Sequence, residues 1–347
     1  MIIPATAKLS YDDVILAPRY SEIRTRTACS TAVTLKNRFD NDFSLGAPLL
    51  SANMDTITGI EMCAAMHAHG GLGCLHRYAS PDEITSWISH LRHLRVPACV
   101  SVGIGPENIS LASRYAAAGA SYIIIDIAHG HSILMKETLS AINLLPNRAD
   151  FFLIAGNVAT PEGTTDLAHW GADAIKCGIA NGAVCDTKAT TGHGYPQLST
   201  ILDCTKGLLS LTNWEQDLDT THPRPYLIAD GGLRSSGDIV KALAAGADLV
   251  MIGGLLAGTD ETPKVHGEHI YRGMASADAQ LDHHHRINNL APEGISKHIP
   301  ARGPAKETLD VLLGGIRSGL SYSGASNIRQ LQQNANFHLV TPNFYKR

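Results

Sequence analysis

The chain is 347 residues long, within the range of one barrel-sized domain carrying insertions, although two ordinary domains would also fit. Hydrophobic residues make up 44% and charged residues 17%, the balance of a globular enzyme that can bury a full core. A net charge of −4 argues against a general nucleic-acid binder, and 5% aromatic content leaves little for base-stacking platforms.

No apolar run approaches the roughly 18 residues of a membrane span, and no basic, apolar leader opens the sequence. A cytoplasmic protein with no membrane partner is therefore expected. The seven cysteines (29, 63, 74, 99, 177, 185 and 204) are scattered without a CxxC pair, so free and mostly buried thiols are expected.

In chain order, eight β-rich runs stand out: Ala47–Met54, Leu72–His76, Ala98–Gly103, Tyr122–Ala128, Phe151–Val158, Ala174–Gly178, Tyr226–Gly232 and Leu249–Gly254. Several are continuously apolar, as parallel strands covered on both faces are. Helical patterns lie between them, among them Ser80–Arg95, Glu107–Gly119, Pro161–Gly171 and Ser235–Gly246, the last three ending in a helix-stopping glycine. Ser80-Pro81 and Thr160-Pro161 each pair an N-cap with proline at the first helical position. Eight strand–helix units predict a closed (β/α)₈ barrel over residues 1–347, with no linker to divide it.

Two connections are too long for turns: Gly178–Thr200 after the sixth strand and Thr259–Lys306 after the eighth. Both leave C-terminal strand ends, the face on which barrel active sites sit. Ile228-Ala-Asp-Gly-Gly-Leu-Arg-Ser-Ser-Gly-Asp-Ile239 and Met251-Ile-Gly-Gly-Leu255 end the seventh and eighth strands in glycine pairs. Backbone N–H groups there can approach an anion closely, which predicts a phosphate site, with Asp230 placed for ribose hydroxyls. In the first long connection, Cys185 sits in a glycine-containing loop, where a thiol can meet a ligand and be activated by dipoles or by a cation such as Lys188.

Several motifs complete the pattern: Ser51-Ala-Asn-Met-Asp-Thr56, Gly70-Gly-Leu-Gly73, Ala155-Gly-Asn-Val158, the Cys185 loop ending Thr191-Gly-His-Gly-Tyr-Pro-Gln-Leu198, and Ala229-Asp-Gly-Gly232. Tyr271-Arg-Gly-Met274, Pro292-Glu-Gly294 and Leu313-Gly-Gly-Ile-Arg-Ser318 follow in the same order. With these, nearly the whole chain resembles the IMP dehydrogenase/GMP reductase family. The resemblance implies a covalent thioimidate between Cys185 and C2 of a purine nucleotide, GMP or IMP. It implies Asp230, Gly231 and Gly232 with Gly253 and Gly254 around ribose and phosphate, and Gly273, Met274, Ala275 and Gly294 near the base. It also implies a nicotinamide dinucleotide at Asp126, Ile127, Ala128, Ile179 and Ala180. The neighbouring subunit of a homotetramer would add Tyr322, Ser323, Gly324 and Ala325. Finally, it implies a potassium ion on carbonyls of the cysteine loop (Ala180, Gly182, Cys185, Lys188).

Within the family, three features favour reduction of GMP by NADPH over oxidation of IMP by NAD. His76-Arg-Tyr-Ala-Ser80 runs straight into the next helix, leaving no room for the dehydrogenase's CBS regulatory domain. Met274 to Glu293 contains no tyrosine, whereas the dehydrogenase flap carries an Arg-Tyr pair that activates water. Ser321-Tyr-Ser-Gly-Ala325 and Gly253-Gly254 resemble the reductase versions, although Ala128-His-Gly-His-Ser132 and Pro292-Glu-Gly-Ile295 look like bacterial dehydrogenases. Thr187 and Glu293 resemble the family's proton relay, which ammonia needs in order to leave. Departures stand at Ala180 and Ala183, where the family has Gly-Pro-Gly-Ser, and at Lys188, Ala275 and Leu290.

Three other readings carry less. Lys176 on the sixth strand could be a Schiff-base lysine if burial lowered its pKa. His129-Gly-His131 and His283-His-His285 hint at zinc but lack further ligands, and the triple histidine is expected to be solvated. A non-catalytic nucleotide sensor has little use for Cys185, Thr187 and Glu293 together.

Overall fold

The computed structural model describes residues 7–211, 224–284, 291–341 and 344. Its centre is a closed barrel of eight parallel strands in sequential order. The strands are β1 (Leu49–Ser51), β2 (Leu72–Leu75), β3 (Ala98–Val102), β4 (Ala120–Asp126), β5 (Phe152–Val158), β6 (Ala174–Cys177), β7 (Tyr226–Asp230) and β8 (Leu249–Ile252). β8 closes on β1 through Leu49↔Val250, Leu50↔Met251 and Ser51↔Ile252. This is the expected (β/α)₈ fold, and all eight runs are strands.

The outer helices include α1 (Ile60–Ala68), α2 (Pro81–His93), α3 (Pro106–Ala118), α4 (Ile133–Ile142), α5 (Pro161–His169), α6 (Gln197–Ser210), α7 (Ser236–Ala244) and α8 (Ala305–Tyr322). Ser80 and Thr160 do cap α2 and α5, accepting the N–H groups of Glu83 and Gly163 at 3.2 and 3.1 Å, each with proline in the first turn. Gly119, Gly171 and Gly246 follow their helices at positive φ. After α2 the same left-handed turn is made without glycine, by Arg95 at φ 58°. Between β2 and α2 lie only residues 76–80.

The two long connections are not structureless. The first holds a short helix, Thr187–Thr191. The second holds an antiparallel pair, Ile270–Arg272 with Ser296–His298, and a helix, Ala277–His284. These hydrogen-bonded pieces satisfy backbone groups that a bare loop over the barrel mouth would leave unpaired. At the chain ends, Val14–Leu16 pairs antiparallel with Phe337–Leu339, which holds the Ser10–Asp12 segment against the barrel.

At the opposite, N-terminal face the barrel is locked by a buried ion pair. Arg148 donates to Asp173 at 2.7 Å, and Asp173 also accepts the N–H groups of Leu153 and Arg38. Both side chains are almost wholly excluded from solvent. Burial drives the Asp173 carboxyl upward against the pull of Arg148, so its ionisation depends on that partner.

Candidate active site

A cleft of about 820 Å³ opens over the C-terminal strand ends. Cys185, Thr187, Glu293, Asp230, Gly231, Gly232, Gly253, Gly254, Gly273, Met274 and Ala275 all line it, as do Asp126, Ala128, Ala180, Gly182 and Lys188. These residues come from most of the length of the chain. The barrel brings them together because each follows a strand ending on the same rim.

Cys185 is half-buried, while the other six cysteines are buried, as expected of inert thiols. Burial pushes Cys63, Cys99 and Cys177 well above the ordinary thiol range; for Cys177 the larger cause is its hydrogen bond with Cys204. The Cys185 Sγ lies 3.2 Å from Thr187 Oγ1, a hydrogen bond in which either atom can donate. The cysteine loop is pinned to the flap by a strand-like ladder. Ile295 N–H donates to Val184 O at 3.0 Å, Asp186 N–H to Glu293 O at 2.8 Å, and Cys185 bridges Gly294. That ladder sets Glu293 beside the thiol–hydroxyl pair, 108 residues after Cys185 in the sequence.

Gly294 does not itself line the cleft. A Cβ there would come within 2.9 Å of Ser276 N, and one at Gly273 within 2.7 Å of Val184 O. These two glycines let the flap backbone lie against the cysteine loop.

Gly231 and Gly232 turn at φ 100° and 75°, exposing consecutive N–H groups after β7. Gly253 and Gly254 face them from β8, with the Tyr271 hydroxyl accepting the Gly254 N–H. Burial pushes Tyr271 up to about 12, so it is a neutral hydroxyl at physiological pH. No role follows for Tyr271 from spacing, although it sits in a singled-out motif. Ala183 lines the same cleft and brings no hydroxyl.

Lys176 does not fit the Schiff-base alternative. It is buried, with Nζ 2.9 Å from Asp126 Oδ1 and 2.7 Å from Asp230 Oδ2. Burial alone would lower its pKa, but the two carboxylates more than reverse this and hold it well above the ordinary lysine range. A Schiff-base lysine must be neutral, so that reading is withdrawn. Asp230 Oδ2 also accepts from Asn157 Nδ2 at 3.0 Å, leaving Oδ1 for a ligand. Asp126 is pushed up by burial and held down more strongly by Lys176, Arg77 and a hydrogen bond from Asn53.

The flap rests on a second cluster that sequence reasoning missed. Asp55, following β1, accepts from Arg272 through Nε and Nη2 and from His283 Nε2 at 2.7 Å, and its N–H reaches Met274 Sδ at 3.4 Å. Burial raises the Asp55 carboxyl, and His283 and Arg272 outweigh it, leaving a net downward shift. His283 is thus paired rather than solvated, whereas His285 and Leu290 lie outside the described residues. His131 pairs with Asp166 at 2.8 Å, and no group of three or more His, Cys, Asp or Glu able to hold a metal occurs among the described residues.

For a dinucleotide, Asp126 and Ala128 face the cleft. Ile127 stands behind them, exchanging backbone hydrogen bonds with Gly156 and Asn157. Ile179 is likewise behind the lining. Tyr322–Ala325, at the end of α8, do not line this chain's cleft, and Tyr322 is exposed. In the cysteine loop the carbonyls of Gly182 and Lys188 accept the N–H groups of Cys185 and Gly192, each retaining a lone pair, and Ala180 adopts φ 64°.

Fold and site together are a closed (β/α)₈ barrel with a half-buried loop cysteine and two glycine pairs at the C-terminal rim. The profile of the IMP dehydrogenase/GMP reductase domain matches residues 8–346, and the chain belongs to that family. A GMP reductase of Leishmania donovani is 40% identical over 256 residues, 68% of this chain and 49% of that protein. An inosine-5'-monophosphate dehydrogenase of Aquifex aeolicus is 40% identical over 264 residues, 72% of this chain and 51% of that protein. The matches thus span about half the length of these two relatives. Among solved structures, a cysteine-to-alanine variant of the GMP reductase of Trypanosoma brucei, in complex with guanosine 5'-monophosphate, superposes with a TM-score of 0.83 at 27% identity, covering 98% of this chain and 96% of that one. No described helix is long and apolar enough to cross a membrane.

Proposed function

We propose that this chain is a GMP reductase, converting GMP to IMP and ammonia with NADPH as the reductant. The observation that carries the reading is the Cys185–Thr187 pair, 3.2 Å apart, with Glu293 in the same cleft as the glycine cradle. Gly231, Gly232, Gly253 and Gly254 take the 5'-phosphate and Asp230 the ribose, placing the purine against Met274 and Ala275. Cys185 Sγ adds to C2, Thr187 and Glu293 deliver the proton with which the 2-amino group leaves as ammonia, and a thioimidate remains. Asp126 and Ala128 would hold the dinucleotide, which when bound would supply the hydride to C2 as the Cys185 thiolate leaves and IMP forms. The balance is GMP, NADPH and two protons to IMP, NADP⁺ and ammonium.

The same reading draws Tyr322–Ala325 from a neighbouring copy in a homotetramer and assigns potassium to the carbonyls of Ala180, Gly182, Cys185 and Lys188. It also takes residues 1–347 as one cytoplasmic catalytic domain. IMP oxidation is the second reading, because the Aquifex relative bears that name and uses of Cys185 up to the adduct are shared. The absence of tyrosine from Met274 to Glu293 weighs against it. Absorbance at 340 nm decides: a fall with GMP and NADPH is expected, and a rise with IMP and NAD without that fall would replace reductase by dehydrogenase.

A further inference from the structure

Lys176 belongs to neither expected ligand subsite, yet its ammonium is paired with a carboxylate at each. Its ammonium lies between Asp126, at the dinucleotide end of the cleft, and Asp230, at the ribose end. Its side chain is only 4% exposed, so water does little to screen the two carboxylates from each other. Each carboxylate has one further amide partner, Asn53 for Asp126 and Asn157 for Asp230, and neither amide carries charge. Among the described residues, the other titratable groups facing the trio are Arg77 and Tyr78 on the Asp126 side, and Tyr11, Tyr271 and Cys177 around Asp230. Arg77 sits beside Asp126, and the other four are neutral at physiological pH through burial or hydrogen bonding.

We propose that Lys176 is a positioning residue that holds the nucleotide and dinucleotide subsites in register by serving as the common counter-ion of Asp230 and Asp126. The inference rests on the two-subsite reading above and deepens it. Asp230 can accept ribose hydroxyls only as a carboxylate with a fixed orientation. With Lys176 in place, one ammonium aims both carboxylates. Without it, two like charges face each other with nothing between them, and the pair shares a proton at neutral pH. One substitution outside both expected sets of ligand contacts therefore damages both subsites together.

The experiment is calorimetric binding of GMP and, separately, of NADP⁺ between pH 6 and 9, to the wild type, Lys176→Met and Lys176→Arg. The wild-type profile is expected to follow only the second ionisation of the ligand phosphates, near pH 6, and to be flat above about pH 7.5. Lys176→Met should lose at least about tenfold in both affinities at pH 7, the scale of one charge-assisted hydrogen bond. Its GMP affinity should recover as pH rises and the shared proton leaves. Lys176→Arg should restore the wild-type profile. Asp126→Asn, which removes one carboxylate but leaves Asp230 its partner, covers the case in which Lys176→Met does not fold. It should weaken NADP⁺ and spare GMP. A Lys176→Met loss confined to one ligand, or a loss with an unchanged pH profile, overturns the proposal. Failure of the wild type to bind GMP would overturn the functional reading instead.

Discussion

His76 offers the clearest quantitative test of the structure, because its protonation is opposed from two sides. It follows β2, is 7% exposed, and packs against Trp87, Tyr78 and His283. The Tyr78 N–H donates to its Nδ1 at 3.2 Å, so Nδ1 must carry a lone pair and the ring proton sits on Nε2. Burial is the main cause lowering its pKa to about 4; Asp55 pulls the other way, and His283 and Arg272 add to the lowering. An unfolded histidine titrates near 6.5, so between pH 6.5 and 4 the unfolded chain binds the extra proton. Stability must then fall as pH drops through that window.

Integrating the linkage from pH 7 to pH 5 gives a loss of about 2 kcal/mol from this residue alone. For a chain of this length that is roughly 2–3 °C in unfolding temperature. His76→Asn keeps an acceptor for the Tyr78 N–H and cannot be protonated. The variant should be less stable overall, through lost packing, but the difference between it and the wild type should narrow by that amount from pH 7 to pH 5. Thermal unfolding of both proteins at a fixed scan rate measures it. Asp55 does not confuse the result: its depressed carboxyl contributes stability that is lost only below about pH 4. A difference between the two proteins that stays constant with pH would falsify the neutral, buried His76.

Cys185→Ala should abolish turnover while leaving GMP binding largely intact, measured by steady-state rates and calorimetry; substantial residual activity would remove the thiol from the mechanism. Guanosine should be a very poor substrate beside GMP, since the glycine cradle then has no anion to hold, and comparable kcat/KM values would dismiss the phosphate assignment. Glu293→Gln should slow GMP reduction by about two to four powers of ten, the usual range for one acid–base group. Reverse hydride transfer from IMP to NADP⁺ should suffer much less, and equal losses in stopped flow would leave Glu293 only a structural part in the flap. Arg148→Met, far from the cleft, should cost about 3–5 kcal/mol in urea unfolding by stranding Asp173, and pairing it with Asp173→Leu should recover much of that. No recovery in the double variant would show that the two residues do not act as a pair.

Much of this protein was legible before any coordinates. Repeated strand–helix units with capped starts point to a parallel sheet wrapped by helices, because local propensity, right-handed crossovers and burial of both strand faces agree, and eight such units favour the closed barrel over an open sheet. The residues read from motifs, such as Cys185, Thr187, Asp230 and the two glycine pairs, are each local in sequence, and the barrel rim brings them together. Long-range pairing was not legible. Nothing in the spacing of Asp55, Arg272 and His283 shows that one carboxylate serves the other two, and Glu293 is linked to Thr187 only by the family resemblance until the flap ladder brings both to one cleft. Lys176 shows the physical reason most clearly. From sequence, an apolar strand predicts a lysine driven toward neutrality by burial. Two carboxylates from strands 50 residues before it and 54 residues after it reverse the sign, because in a low-dielectric interior the nearest charges outweigh desolvation, and only the closed barrel decides which charges are nearest.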